Sequence, residues 1–311
     1  MTGQEAAALG WWGVLVAVLG GAVRVSTPYL FVSLGETLTE TAGRVNLGLE
    51  GVLVMGAMSG YATAYLTGSP WLGVLVAGLA GALLGLVHGV VSSLPRVNDI
   101  AVGIALFLLG VGLAFSLGKP FIEPSAPRLA PLPLGAWSAT PQVRSALEIS
   151  PLFVVGLALA LGLRWGLAAT RWGLVLRTVG DNADAARTLG HPVAAVRTAA
   201  TMAGGFLGGI GGAFLSLDYP GTWNEGLSSG QGLMAVTLVI FARWSPLACF
   251  WTALLFGGAT ALGPALQSVG ISGHYYLINA APYALTLALL VVSSSPRRTL
   301  VGAPSELSIS K

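Results

Sequence analysis

Residues 35–51 read GETLTETAGRVNLGLEG and place Glu36, Glu40, Arg44, Asn46 and Glu50 between two apolar stretches. Ionisable groups at membrane depth are costly, so they face a bundle interior or water. Carboxylates there can accept hydrogen bonds from a polar cargo, relay protons, or pair internally. Glu36, Glu40 and Arg44 are four residues apart, which puts all three on one face of a continuous helix. The Glu40–Arg44 order, acid first, is the favourable one. Two readings stand for the cluster: internal pairing that fixes a bend, and a polar lining along a translocation path. Proton relay by Glu36 and Glu40 is a narrower form of the second.

Catalytic constellations are missing. His88, His191 and His274 are far apart in sequence and lack metal-ligand spacing with Cys, Asp or Glu. His88 lies in a glycine-rich apolar run and reads as a satisfied core histidine. The Gly118–Lys119 pair is followed by Pro120 rather than Ser or Thr, so there is no nucleotide-binding P-loop. If ATP drives this protein, another chain must bind it. The single cysteine, Cys249, excludes an internal disulfide framework and reads as a buried, inert thiol.

The elements that must carry these residues are hydrophobic helices. Of 311 residues, 54% are hydrophobic and only 9% charged, against about 25% charged in a soluble domain. Lipid can replace the missing polar coat. Candidate membrane segments fall at roughly 9–23, 28–42, 49–67, 71–92, 98–117, 151–169, 199–217, 230–243, 246–266 and 277–294. This predicts an all-α, polytopic bundle of about ten transmembrane segments, forming one domain over residues 1–311. The first run lacks the basic start and the small-residue cleavage site of a secretory signal and reads as a retained helix. With ten crossings and both termini cytoplasmic, eleven basic residues fall inside, against Arg24, Lys119, Arg128 and Arg144 outside. That bias is the expected one for a cell membrane. The net charge of +3 is scattered and carries no nucleic-acid signal.

Two loops stand out. Residues 118–150 are proline-rich and form a long external segment. Residues 170–198 form the longest internal one, with a short helix over Asn182–Leu189 stopped by Gly190 and Pro192. Two glycine ladders, Gly81–Gly85–Gly89 and Gly204–Gly208–Gly212, each bare one helix face for close packing. Trp223, Tyr219 and Tyr275 fall near the external side. They suit an interfacial aromatic belt, with stacking on a base at the entrance as the alternative.

GETLTETAGRVNLGLEGVLVMGA (35–57) resembles the signature of permease subunits of ATP-driven nucleoside importers. That group belongs with the permeases for branched-chain amino acids and simple sugars. The likeness continues at GSPWLGVLVAGLAGALLGLVHG (68–89), LRTVGDNADAARTLGHPVAAVR (176–197) and SSGQGLMAVTLVIFARWSPLACFWTALLFG (228–257). Asn46–Gly51 favours the nucleoside group. Ala242 and Ala248 depart from the pattern, each standing where the family often has glycine.

The resemblance implies a type II ABC importer permease fold. It implies an ATPase docked on the internal loop through Ala185, Ala186 and Gly190, with Asp181, Asp184 and Arg187 at the rim. It also implies a second homologous permease and an extracytoplasmic substrate-binding lipoprotein. The chain would then be a transport subunit, binding no cofactor directly, with ATP and magnesium on the partner. Glu36, Glu40, Asn46 and Glu50 are the candidate path residues. Three alternatives remain: the same importer carrying branched-chain amino acids or simple sugars, an ion-coupled secondary transporter using Glu36 and Glu40, and a membrane enzyme, for which no catalytic cluster is visible.

Overall fold

The computed structural model describes residues 10–122, 124–218, 220–268, 278–293 and 303–309. Among them, six helices are long and apolar enough to cross a membrane. These are α1 (Gly10–Thr41), α3 (Pro70–Val91), α4 (Asp99–Gly118), α6 (Pro151–Ala169), α9 (Val193–Leu217) and α11 (Pro246–Ser268). Three further helices share the bundle: α2 (Leu49–Thr67), α10 (Gln231–Phe241) and α12 (Ala281–Ser293). The remaining short pieces are α5 (Pro141–Ala146), α7 (Arg171–Asp181), α8 (Ala183–Thr188), α13 (Glu306–Ile309) and the pair β1 (Leu132–Pro133) and β2 (Glu148–Ile149).

The first two expected segments, 9–23 and 28–42, are one helix. α1 contains Pro28 without breaking, and its 32 residues span about 48 Å. Ser26 and Thr27 hydroxyls donate to the Val23 carbonyl (2.9 and 3.2 Å), giving this turn side-chain bonds where Pro28 offers no N–H. The fusion changes the topology. Thr41 lies against Gly180 of the 170–198 loop, whereas Gly20 lies against Ala146 of the 118–150 segment. The Gly10 end of α1 is therefore on the face opposite the 170–198 loop. Glu306 sits on the same face as that loop. The two described ends are on opposite faces, not on one as expected from ten crossings.

α9 is the centre of the molecule. Gly205 and Gly81 each face the other's backbone, and Thr201 and Thr198 of α9 take up the bare sides of Gly85 and Gly89. The second ladder turns elsewhere: Gly204 meets Gly35 of α1, Gly208 meets Val52, and Gly212 meets Leu53 and Ala57 of α2. The two ladders do not face one another. One side of α9 receives α3 and the others receive α1 and α2, so glycine is needed around most of its circumference.

α2 and α10 begin deep in the bundle rather than at its edges. Gly51 packs on Leu106 and Phe107, which lie seven or eight residues into α4, about 11 Å from its start. α2 runs from there toward the proline-rich face, where the Tyr61 hydroxyl donates to the Pro124 carbonyl (2.8 Å). α10 starts beside Glu50 and runs the other way, to a turn at 242–245 next to Glu40.

Candidate functional site

The polar cluster of 35–51 is gathered at the inner ends of α2 and α10. Glu36 is fully buried, Glu40 is 3% exposed, Asn46 1% and Glu50 4%. α1 stops at Thr41, and Gly43 follows with φ +81°, a left-handed residue that suits glycine at a helix end. Residues 42–48 then pass into the interior without helix. Their backbone groups are met by side chains: Asn46 N–H donates to Glu36 Oε1 (2.8 Å), and Gly48 N–H donates to Asn46 Oδ1 (2.9 Å). Such satisfaction is what irregular chain at membrane depth requires.

Because α1 ends before it, Arg44 is not on the helix face of Glu40. The expected Glu40–Arg44 pair is absent. Arg44 pairs with Asp99 at the start of α4, and Glu40 accepts from the Trp244 indole N–H. Glu36 Oε2 has no hydrogen-bond partner among the described residues.

Glu50 holds the start of α10. Ser228 Oγ donates to Oε1 (2.5 Å), Gly230 N–H to Oε1 (3.1 Å) and Gly232 N–H to Oε2 (2.6 Å). The N-terminal N–H groups of a helix are otherwise unpaired and carry partial positive charge, and a carboxylate answers both needs. Gly230 is left-handed (φ +81°), and a Cβ on Gly232 would press on Glu50 at 2.6–2.7 Å. Both positions demand glycine, which accounts for the SSGQG run.

The turn after α10 carries strain. Arg243 and Trp244 both have positive φ (50° and 55°), which L-residues avoid at about 1–2 kcal/mol each. This backbone places the Trp244 indole on Glu40. Ala242, where the resembling family has glycine, has an ordinary helical φ of −72° and is buried, so alanine fits.

On the 170–198 loop, the expected short helix is present as α8. The Asn182 side chain accepts from Ala185 N–H (2.9 Å), and Gly190 turns the chain with φ +85°. Asp181, Asp184, Ala185, Arg187 and Gly190 are exposed, and Asp184 pairs with Arg187. Ala186 differs: it is fully buried, packing with Val179, Ala183 and Val193. Its small side chain serves internal packing and is not on the surface.

Other expectations change. Trp223 is 2% exposed and donates to the Gly118 carbonyl (2.9 Å), so it is a core anchor rather than a belt or stacking residue. Tyr219, Tyr275 and His274 lie outside the described residues. His88 is fully buried, and neither ring nitrogen has a partner among the described residues. Cys249 is buried beside Thr37 Oγ1 (3.2 Å) as expected. Sequence reading missed Ser228, Trp244, Arg197 and Glu306. All make contacts more than a hundred residues away in the chain, for which no local pattern exists.

Known proteins place this architecture. The family model for the permease component of the branched-chain amino acid transport system matches residues 17–294. The nucleoside ABC transporter permease protein NupC of Lactococcus lactis is 32% identical over 86% of this chain and 89% of its own length. The guanosine ABC transporter permease protein NupQ of Bacillus subtilis is 28% identical over 89% and 92%. A putative glucose ABC transporter permease protein of Haloferax volcanii, TsgC13, is 34% identical over 82% and 79%. The buried polar cluster, the apolar helices and these matches agree: the chain belongs to the branched-chain amino acid transport system permease component family, as a multi-pass membrane transport subunit.

Proposed function

We propose that this chain is one transmembrane half of an ATP-driven importer for nucleosides. The observation that carries the reading is likeness along nearly the whole chain to relatives named for nucleoside and guanosine transport. The buried Glu36 Oε2, without a partner among the described residues, supports it, because ribose hydroxyls and base N–H groups are donors that such an acceptor holds. The fold is read as that of type II importer permeases, with nine crossings rather than ten after the fusion in α1. The 170–198 face is cytoplasmic. The same eleven basic residues stay inside under this topology, because residues 1–23 contain neither Lys nor Arg. The Gly10 end of α1 is then external and Glu306 cytoplasmic.

ATP and magnesium sit on a separate ATPase, which docks on the exposed surface around Asp181, Asp184, Ala185, Arg187 and Gly190. A second homologous permease completes the path, and an external binding lipoprotein delivers the cargo. A sugar importer is the second reading, favoured by the Haloferax relative. An ion-coupled transporter is the remaining reading and would use the buried Glu36 and Glu40 carboxyls, four residues apart on α1.

The test is uptake by the purified complex in proteoliposomes, with ATP inside and labelled guanosine, uridine or glucose outside. ATP-dependent nucleoside uptake supports the reading. Uptake without the ATPase, or uptake that collapses with the proton gradient at constant ATP, refutes it. Glucose uptake alone moves the cargo to the second reading.

A further inference from the structure

The C-terminal segment is wired into the loop assigned to ATPase docking. Glu306 Oε1 accepts from Ala183 N–H (3.0 Å), the first amide of α8. Its other oxygen accepts from Arg197 Nη2 (3.0 Å). Arg197, 8% exposed in the first turns of α9, also donates through Nε to the Ala42 carbonyl (3.0 Å) and through Nη2 to the Val179 carbonyl (3.4 Å). Four separate stretches thus meet at one ion pair: the end of α1, the α7–α8 loop, α9 and the tail. The junction is tight, since a Cβ on Gly43 would stand 3.0 Å from Glu306 Cβ and 3.1 Å from Arg197 Nη2. Beside it opens a cavity of about 410 Å3 lined by Arg44, Asp99, Arg197 and Glu306 among others.

The charges are matched to the task. Burial raises the Glu306 carboxyl, but the Ala183 amide and Arg197 outweigh it and hold the group below the usual carboxylate range. The Ala183 N–H is an N-terminal helix donor with no partner inside its own helix.

We propose that Glu306 is a positioning residue for transport, joining the first amide of α8 to Arg197 so that displacement of the docking loop is delivered to the inner ends of α1 and α9. This rests on the docking role given to residues 181–190 above. Ala183 and Ala186 already pack α8 against Val179 of α7 and Val193 of α9, but that apolar contact does not reach the end of α1. The Glu306–Arg197 junction adds that link, through the Ala42 carbonyl.

The test uses the complete importer in proteoliposomes, comparing native protein with Glu306→Ala and Glu306→Gln. Cargo imported per ATP hydrolysed is measured together with ATPase rate and the amount of assembled complex. Glu306→Ala is expected to lower cargo per ATP about tenfold, the effect of one lost charge-assisted hydrogen bond on an equilibrium, with hydrolysis and assembly within about twofold of native. Glu306→Gln keeps an acceptor for Ala183 and falls between. Hydrogen exchange at the Ala183 amide, measured on the permease in nanodiscs, is expected to quicken about tenfold in Glu306→Ala. Unchanged cargo per ATP and unchanged Ala183 exchange overturn the inference, as does a loss of uptake strictly proportional to lost assembly. If native protein shows no ATP-driven uptake, the importer reading fails, while the exchange result still decides whether Glu306 holds α8.

Discussion

Removing the Glu50 carboxylate is the sharpest test of how the buried cluster is built. Glu50 accepts three hydrogen bonds at the start of α10, two of them from backbone amides. In Glu50→Ala the Ser228 hydroxyl can rotate to another acceptor, but the Gly230 and Gly232 amides cannot. Each buried unpaired amide costs about 1–3 kcal/mol. Loss of the charge opposite the helix dipole adds about 1 kcal/mol. The expected loss is therefore about 3–7 kcal/mol if water does not enter. Glu50→Gln keeps the shape and one oxygen, but turns a donor toward an amide, for an expected loss of about 1.5–3 kcal/mol. Unfolding of the purified permease in mixed micelles measures both values, and hydrogen exchange over residues 229–236 locates the damage. Exchange should quicken there first, and the α3–α9 contact should stay protected. A loss below about 0.5 kcal/mol for Glu50→Ala, or exchange that rises evenly through the bundle, would refute the capping argument.

Other substitutions probe separate links. Gly205→Val puts a branched side chain against the Gly81 backbone and should cost about 3 kcal/mol or more, because neither backbone can yield; Gly112→Ala, with open space around it, should be neutral or gain up to about 1 kcal/mol from helix propensity, as thermal unfolding would show. Gly190→Ala also meets open space but must keep φ +85°, so it should cost about 1–2 kcal/mol locally and weaken ATPase co-purification more than it lowers the melting temperature. The Glu306 junction should follow pH. Its carboxyl is depressed in the folded protein, so its stabilising effect is full above the ordinary carboxylate value and fades as pH falls through the lowered one. The charged groups facing it are the guanidinium groups of Arg197, Arg187 and Arg44. The difference in Ala183 exchange between native protein and Glu306→Gln should therefore be constant from pH 7 to about pH 5 and vanish at lower pH.

Much of this architecture is legible in the sequence, and the rest is not for identifiable reasons. The apolar runs mark their helices because lipid demands length and hydrophobicity. Asn182, Gly190 and Pro192 mark α8 because capping and left-handed turns depend on local residue type. Pro28 misleads: it is a breaker in water, but nearby hydroxyls bond the same turn and α1 continues through it. The Glu40–Arg44 spacing misleads because Gly43 ends the helix geometry on which the pairing argument depends. Trp223 lies near the proline-rich face, yet the end of α4 provides a carbonyl that draws it inward. Nothing local to Glu50 announces Ser228 and Gly230, which lie 178 and 180 residues away.

The two short helices that start at Glu50 leave it in opposite directions. One is an arm of about 28 Å toward the proline-rich face, the other an arm of about 16 Å toward the 170–198 loop. A single carboxylate is their shared pivot. The start of one arm is fixed to the start of the other by its hydrogen bonds. The two sides of the bundle are thereby set against each other by one side chain.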